Sequence, residues 1–499
     1  MSASIWSPNA PYVSATAGRT ILDYLPPTFD TATGDATAYI QESFDSGYLF
    51  IDYLGLPLKT DQVTAPANFR GTNIDFTKYT DAAGDILHVN SGNTFTGKLR
   101  GTGLTSVVQR GVYPAGAGVD GVTLMLEVSN ITFGVHAAPV AAASAANNPS
   151  GWVVYLHAND IVGTVAASEG YGFLGETIQD STIHVIAKNI RRHAGYLSAG
   201  ACGNDMTVTV DGCGNYAAQI NTSFLSGQEA SQYNTVTVYA KNLTTDVATQ
   251  SGALAIAGRS HYNTCTVFCD GSAFGASPST VYEAVRVEGG SVGNQEDHPR
   301  GNKIVNGAIR GKFAGNDVIR MLNADGTIVT GNTIVAVSAD TLIACRRTGT
   351  NLSLHGGYID NNILDANGSA LKGIFTEINT VPSYIGPNEI SNNAGAIRVD
   401  DQSGGWRTGF SRRLTFNGTT GSISSASVGD TVVTFPLSRE VAVAGRRANV
   451  VLTGGSVSFT NPHAVIRYTH TSATVLTFRA YNAAGSAQTF DYEGWVEGD

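Results

Sequence analysis

The sequence predicts an all-β chain built around a single-stranded parallel β-helix, with an N-terminal helical cap and a C-terminal β-sandwich domain. A short pattern of alternating apolar residues after an asparagine recurs about every 30 residues, the period of a stacked-coil architecture. Each alternating pattern is about five residues long, which is typical of short strands. No stretch of residues 150–405 sustains the apolar spacing of an α-helix, so helical repeats are excluded.

The asparagine repeat is the main support for stacked coils. The stretch SQYNTVTVYAKN at residues 231–242 returns as SHYNTCTVFCDG at residues 260–271. An asparagine opens such a pattern at six positions, separated by 30, 29, 39, 30 and 29 residues: Asn204, Asn234, Asn263, Asn302, Asn332 and Asn361. Asparagine tolerates the left-handed conformation of a sharp corner, and its amide can bond to the equivalent amide one coil away. We therefore expect an amide ladder along one corner of the coils.

A second series of strands lies about half a period from the first, beginning at residues 217, 253, 284, 318, 342, 370 and 396. Aligning these strands predicts two outward columns of charge. The first column contains Arg286, Arg320, Lys372 and Arg398, and the second contains Glu288, Arg346 and Asp400. Such a polar stripe fits a groove for an acidic or heavily hydroxylated glycan, clamped by guanidinium groups. It also fits a solvated face with weak cross-strand ion pairs.

The two ends of the chain depart from the repeat. Near the start, TATGDATAYIQESF predicts one amphipathic helix with Ala38, Ile40, Gln41 and Phe44 around its apolar side, which would cap the exposed strand edge. Six longer alternating strands in residues 412–499 predict an antiparallel sandwich. The predicted organisation is an attachment segment (1–20), a helix-capped start (21–70), a β-helix for binding and catalysis (71–408), and a sandwich for trimerisation or glycan binding (409–499).

Two motifs near the start carry a resemblance to a known family. The helix segment GDATAYIQ, followed by a glycine and a first strand, and the first coil VTAPANFRGTNI resemble tailed-bacteriophage tailspike depolymerases, which belong with the pectate-lyase-like right-handed parallel β-helices. The asparagine-ended coils and small C-terminal β-domain continue the resemblance over nearly the whole chain. It implies a homotrimer in the virion tail, joined to a tail or baseplate protein, that binds and usually cleaves a bacterial surface polysaccharide such as capsule, exopolysaccharide or O-antigen.

The longest step of the repeat, 39 residues, inserts the charged loop GGSVGNQEDHPRGN after Glu288. Solenoid proteins often place binding and catalysis in such insertions. Glycoside hydrolysis needs two carboxyl groups across the scissile bond, about 5 Å apart for retention or about 6.5–9.5 Å apart for inversion. The candidate catalytic carboxylates are Glu283, Glu288, Glu296 and Asp297. Equally, the insertion can be a plain surface loop without chemistry.

Other residues support alternative functions. A lyase would abstract a proton next to a uronate carboxylate, using His298 with Arg286 and Arg300, or the cluster Arg191, Arg192, His193 and Tyr196. Tyr239 and Phe268 occupy equivalent outward positions in two repeats and fit either sugar stacking or burial between subunits. Glu169 and Glu176 are weaker candidate carboxylates. From a different class, a glycan receptor-binding protein without enzymatic activity remains open.

Composition excludes several partners and cofactors. A net charge of -10 disfavours nucleic acid and anionic membranes, and no apolar stretch is long enough for membrane insertion. The absence of a signal sequence fits assembly in the host cytoplasm. The five cysteines lack the paired spacing of a zinc site, and no phosphate-binding loop or nucleophile elbow is present. We therefore expect neither a cofactor nor a metal.

Overall fold

The computed structural model describes residues 19–140, 146–163, 169–222, 229–243, 251–273, 281–290, 298–347, 357–368, 370, 372–377, 383–392, 399–401, 412–420, 422–423, 427–434, 447–455, 464–472, 475–482 and 486–498. By its internal contacts the chain divides into two compact units, Met1–Cys265 and Thr266–Asp499. The strand Thr264–Asp270 belongs to both units in sequence. Each unit is described by itself below.

The first unit consists mainly of two sheets of parallel strands. Its first sheet contains Arg19–Thr20, Phe50–Asp52, Pro57–Thr60, Arg70–Lys78, Thr94–Arg100, Thr123–Ser129, Val153–Ile161, Thr182–Ile190, Asp205–Cys213 and Thr235–Lys241. Its second sheet contains Val63–Thr64, Gly84–Val89, Gln109–Pro114, Phe133–Ala137, Tyr171–Glu176, His193–Ser198, Tyr216–Thr222 and Gly252–Gly258. A short parallel pair, Ser231–Gln232 with Ser260–His261, lies between these strands in sequence.

Register shows how the coils of this unit stack. The buried apolar residues Val154, Ile183, Met206 and Val236 are successive strand partners in the first sheet. Leu197, Ile220 and Ile256 are the equivalent buried partners in the second sheet. Because successive coils place apolar side chains inward at the same position, the interior between the two sheets is a continuous apolar core. The predicted parallel β-helix is therefore confirmed.

The second unit repeats this arrangement with shorter strands. Its first sheet contains Lys303–Val305, Ala308–Lys312, Ile328–Thr330, Thr333–Val337, Tyr358–Asp360, Ile363–Asp365, Tyr384–Ile385 and Glu389–Ser391. Its second sheet contains Val285–Glu288, Asp317–Leu322, Thr341–Arg346, Lys372–Thr376 and Val399–Asp401. All the recorded pairings of these strands with one another are parallel, and Val285, Ile319, Ile343 and Ile374 form an inward column.

The end of the second unit contains the six predicted longer strands. They form two three-stranded antiparallel sheets: Arg412–Thr419, Phe490–Gly498 and Arg447–Gly455 in one, and Ser427–Thr434, Val475–Asn482 and Ala464–Ser472 in the other. The packing of these sheets as a sandwich stays a prediction, as do the domain boundaries given above.

The predicted helix near the start is present as Thr37–Asp45, after a short 3-10 helix at Ile21–Asp23. Ile40 and Phe44 are buried, and the Phe44 ring lies 4.8 Å from that of Phe69 in an edge-to-face arrangement. The Gln41 amide bonds to both backbone groups of Thr64, at 3.1 Å to its oxygen and 2.9 Å from its nitrogen. The helix thus supplies hydrogen-bond partners to the backbone of the strand Val63–Thr64. Its role as the cap of the whole β-helix stays a prediction.

The asparagine ladder is present in both units. In the first, Asn204 Nδ2 donates to Asn234 Oδ1 at 2.8 Å, and Asn234 Nδ2 donates to Asn263 Oδ1 at 2.9 Å. In the second, Asn332 Nδ2 donates at 3.0 Å to Asn362 Oδ1. The prediction of Asn361 was wrong by one residue, because Asn362 is the buried member and Asn361 is its neighbour at the turn.

The left-handed corner residue is also one position earlier than predicted. The residue directly before each of these ladder asparagines has a positive φ: Gly203, Tyr233, Tyr262, Gly331 and Asn361. Gly301, before the predicted ladder residue Asn302, has one too. The ladder asparagines are therefore selected for their side-chain hydrogen bonds rather than for an unusual backbone conformation. Tyrosine at two of these positions places a non-glycine residue in the left-handed region.

Replacing Asn234 by alanine is expected to destabilise the first unit by about 1–3 kcal/mol for each buried group that loses its partner. The substitution removes the acceptor for the Asn204 backbone N–H, at 3.1 Å, and the donor to the Ala201 carbonyl, at 2.9 Å. Chemical denaturation would measure the loss, with Asn159→Ala on a half-buried strand position as the control. Equal stability of the two variants would contradict the ladder's importance.

Candidate functional site

The outward face of the second unit's second sheet carries the predicted charged columns. Arg286 pairs with Arg320, as predicted, and the column continues through Ala344, Phe375 and Asp400. Glu288 pairs with Leu322, which pairs with Arg346, so these two charged residues share a column as predicted.

Two later strands were aligned incorrectly. Lys372 pairs with Thr341 rather than with Ala344, three positions from the predicted place. Asp400 lies in the column of Arg286, not in that of Glu288. Arg398 lies outside the described residues. The strand ALKGIF offers several apolar positions that fit the core, and the side chain that enters it is Ile374. The predicted alignment used another of these positions.

Arg286 anchors one charge network on this face. Its Nη1 donates at 3.0 Å to Glu283, whose side chain is buried, and its Nε donates to Glu288. The Glu288 side chain keeps 33% of its surface exposed. Two carboxylates around one guanidinium hold Arg286 in place. Glu283 and Glu288 both bind Arg286, and Glu283 differs in having a buried side chain. The catalytic role of either residue stays a prediction.

Arg346, a member of the predicted second column, anchors a second network with Asp317 and Asp340, which the sequence reasoning missed. Its Nε and Nη2 donate to Asp317 at 2.6 and 2.7 Å, and Nη2 also donates to Asp340 at 2.6 Å. Burial raises the pKa of Asp317, although the bonds from Arg346 oppose this shift. These bonds raise the pKa of Arg346, against the effect of burial. The sequence carries one sign of such networks. An acidic residue stands three positions before an arginine both at Glu283 and Arg286 and at Asp317 and Arg320.

An aromatic ring joins this network to the next strand. Phe375 has the Arg346 guanidinium 4.8 Å and the Lys372 ammonium 4.3 Å from its ring centroid, which are cation–π distances. Lys372 also pairs with Asp400 at 3.1 Å and approaches Asp340 at 3.9 Å. The face therefore combines an aromatic ring with alternating charges on three adjacent strands.

Arg320 differs from its neighbours. Within the described part of the chain it has no ion pair, and its Nε has no hydrogen-bond partner. On the adjacent strands its column partners are Arg286, of like charge, and Ala344, which is small. The unpartnered Nε of Arg320 is buried, so an external acceptor would meet its Nη groups, and its role in glycan binding stays a prediction.

Part of the charged insertion, including Glu296 and Asp297, lies outside the described residues. His298 is fully buried, and its ring lies against Gly289. Its burial gives no support to contact with substrate, which stays a prediction. Arg300, its suggested partner in a lyase, donates to Asp325 at 3.0 Å.

The alternative lyase cluster lies in the first unit and also lacks an accessible base. His193 is fully buried, its Nδ1 lies 2.9 Å from the Tyr216 carbonyl, and burial lowers its pKa to about 3. Arg192 donates to the Tyr171 hydroxyl at 2.9 Å. His193 is therefore a buried, neutral ring that a polysaccharide does not reach, so it does not act as a base on such a substrate.

Tyr239 and Phe268 are the two aromatic residues predicted to contact sugars or another subunit. Tyr239 is exposed and follows Thr209 in register on the outward face of the first unit. Phe268 pairs with Ala308 in the second unit and is half-buried. Their roles in sugar stacking or in subunit contact stay predictions.

Comparison with known proteins gives structural similarity without sequence matches. No family model matches the chain, and no curated protein matches it. The structure is similar to the tailspike protein of E. coli bacteriophage HK620 in complex with pentasaccharide, with 11% identity, a TM-score of 0.47, and coverage of 97% of this chain and 94% of that one. A double mutant of that tailspike with pentasaccharide gives a TM-score of 0.48 at 11% identity, also with 97% and 94% coverage.

A deletion mutant of the same phage protein in complex with hexasaccharide is also similar, with a TM-score of 0.46, 11% identity, and coverage of 97% of this chain and 93% of that one. All three are phage tailspikes, the family that the first coils of this sequence resemble. In the described part of this chain, no helix has the length and apolar character needed to span a bilayer.

Proposed function

We propose that this chain recognises and depolymerises a bacterial surface polysaccharide as a phage tailspike, with the charged face of the second unit as the groove. The observation that carries the proposal is the register of that face, in which Arg286 pairs with Arg320, and Glu288 shares a column with Arg346. Strands about 4.8 Å apart repeat these side chains at a spacing suited to successive sugar units. Arg320 binds carboxylates or hydroxyl pairs of the glycan.

Endo-glycosidic hydrolysis is the proposed reaction. Among the four candidate carboxylates, Glu288 is the described one with an exposed carboxylate, and it lies directly before the charged insertion. Its catalytic partner is Glu296 or Asp297. Glu283 takes the role of a positioning residue, because it holds Arg286 from inside the sheet. The buried positions of His298 and His193 disfavour β-elimination.

A panel of purified capsular, exopolysaccharide and O-antigen chains tests the proposal. Incubation of the full chain with the correct glycan should lower viscosity and create new reducing ends without absorbance near 235 nm, the signal of an unsaturated product. Reducing ends together with that absorbance would instead establish a lyase. Retention on glycan beads without cleavage would leave a receptor-binding protein, and no retention on any glycan would overturn the proposal.

Assembly as a homotrimer is supported by an exposed apolar stripe on the first sheet of the first unit. Met125 and Tyr155 are strand partners, and Ile186 and Tyr239 lie on either side of Thr209 in the next column. All four apolar side chains are exposed. Burial of such a stripe between copies of the chain is favourable.

Light scattering of the full chain should give particles of three chains, and Ile186→Glu should shift them towards single chains. Ile363→Glu, at an exposed strand position of the second unit, is the control. A single chain as the wild-type particle would contradict the trimer. A trimer that Ile186→Glu leaves intact would contradict this stripe as its interface.

A further inference from the structure

A second cluster of polar and aromatic side chains lies in the first unit, on the strands of its second sheet. Four consecutive strands each contribute one member: Tyr113, His136, Glu176 and Tyr196. We call this the histidine–tyrosine cluster. Register places His136 beside Leu174, and Leu174 beside Tyr196. Three strand spacings, about 14 Å, separate the first tyrosine from the last.

The floor of the cluster is apolar. Phe133, Tyr171 and Leu174 form a buried group, against which Tyr196 packs. The His136 ring stacks on Phe133, with centroids 5.1 Å apart and planes at 15°, and meets the edge of Tyr113 at 5.3 Å. Tyr113 and Tyr196 are only partly buried. The Arg110 guanidinium lies 4.8 Å from the Tyr113 ring centroid, so only part of that ring is left for a ligand.

His136 is the unusual group in this cluster. It is 8% exposed, yet neither ring nitrogen has a hydrogen-bond partner in the described part of the protein. Its Nε2 lies 3.6 Å from Glu176 Oε1, within ion-pair distance, and the Glu176 side chain is 39% exposed. This contact with His136 lowers the pKa of Glu176, against the effect of its burial. Glu176 therefore contacts a buried ring while part of its side chain faces solvent.

The nearby cations are occupied by the protein itself. Arg110 donates to Asp85 at 3.0 Å, and Arg192 donates to the Tyr171 hydroxyl. An anionic ligand would be repelled by the Glu176 carboxylate, and both nearby guanidinium groups already bind protein atoms. A neutral ligand with hydroxyl groups would instead donate to Glu176, while its C–H face packs on the accessible parts of the tyrosine rings.

We propose that the histidine–tyrosine cluster is a second carbohydrate site, which binds a neutral pyranose ring and is separate from the charged face of the second unit. Glu176 accepts hydroxyl donors, His136 holds the Glu176 carboxylate from the buried side, and Tyr113 and Tyr196 supply the stacking surface. The site differs in charge from the proposed groove, so the two sites would select different sugar units.

Saturation-transfer NMR on the full chain tests this site with methyl glycosides of glucose, galactose, mannose and N-acetylglucosamine, and with methyl glucuronide as the anionic probe. We expect transfer to ring protons of at least one neutral glycoside and weaker transfer to the glucuronide. Glu176→Gln should weaken binding about tenfold, since it replaces a charged acceptor. Tyr113→Ala should weaken binding by a similar factor.

Glu127→Gln serves as the control. It changes a comparably exposed glutamate, paired with Lys98 on the other sheet of the same unit. It should leave transfer from the neutral glycosides unchanged. The proposal is overturned by absence of transfer from every neutral glycoside, by preference for the glucuronide, or by binding that Glu176→Gln and Tyr113→Ala leave intact. If the chain cleaves polysaccharide but gives one of these negative results, only the second carbohydrate site is rejected, and the proposed function stands.

Discussion

Replacing Arg346 by alanine is expected to destabilise the second unit by about 3–5 kcal/mol at pH 7. The Asp317 side chain is only 1% exposed, and two hydrogen bonds from Arg346 compensate its burial. Without the guanidinium, a buried carboxylate remains without its main counter-charge. Chemical denaturation of the full chain, followed by a probe of the second unit, measures the loss.

This loss should depend on pH with a defined sign. Burial already raises the pKa of Asp317 above its ordinary value of 3.8, and removal of Arg346 raises it further. An acid whose pKa is raised by folding favours the folded state below its unfolded pKa, and this contribution disappears as pH rises through the folded pKa. The penalty of Arg346→Ala should therefore shrink between pH 7 and pH 4.

A matched control is available on the first sheet of the same unit. Arg310 pairs with Asp270 at 3.2 Å, but both side chains are largely exposed. Arg310→Ala should cost no more than about 1 kcal/mol, with little dependence on pH. Penalties of equal size for the two arginines, or an Arg346 penalty that stays constant on acidification, would contradict the buried network.

Replacing Glu288 by glutamine should lower the rate of polysaccharide cleavage by about 10²–10⁴-fold, if Glu288 transfers a proton in the proposed hydrolysis. Glycan affinity should change far less, because the substitution keeps the size of the side chain. Initial rates of reducing-end formation and retention on glycan beads measure the two effects separately. Glu389→Gln, at an exposed glutamate in the first sheet of this unit, is the control.

Unchanged turnover in Glu288→Gln would remove the catalytic role of this residue while leaving the fold untouched. The same assay on Glu296→Gln and Asp297→Asn would then identify which of the remaining candidates acts. A fall in glycan retention equal to the fall in rate would assign Glu288 to binding instead.

The coil pattern was predictable because it is local and repeated. Asn204, Asn234 and Asn263 form the expected ladder, since an amide at a fixed corner meets the same amide on the next coil. The pair Asn361 and Asn362 shows the limit of this reasoning. Two adjacent asparagines satisfy the same pattern, and only the direction of each side chain decides which one enters the ladder.

Register was harder to predict than strand positions. The strand containing Lys372 was found, but its alignment was three residues away, so Phe375 rather than Lys372 continues the column of Arg320. A slip by an odd number of residues changes every lateral neighbour and exchanges the inward and outward faces of the strand. The cation–π contacts at Phe375 therefore had no sequence signal.

By itself the sequence determined the parallel coils, the asparagine corner, the helix at Thr37–Asp45 and the six C-terminal strands, because these depend on periodicity and on residue types close together in the chain. Only the tertiary structure decided which charges meet. Asp317 binds Arg346, 29 residues away, and His136 approaches Glu176, 40 residues away, because stacking fixes lateral neighbours that no local pattern encodes. The burial of Glu283, His298 and His193 is likewise a property of the packed coils.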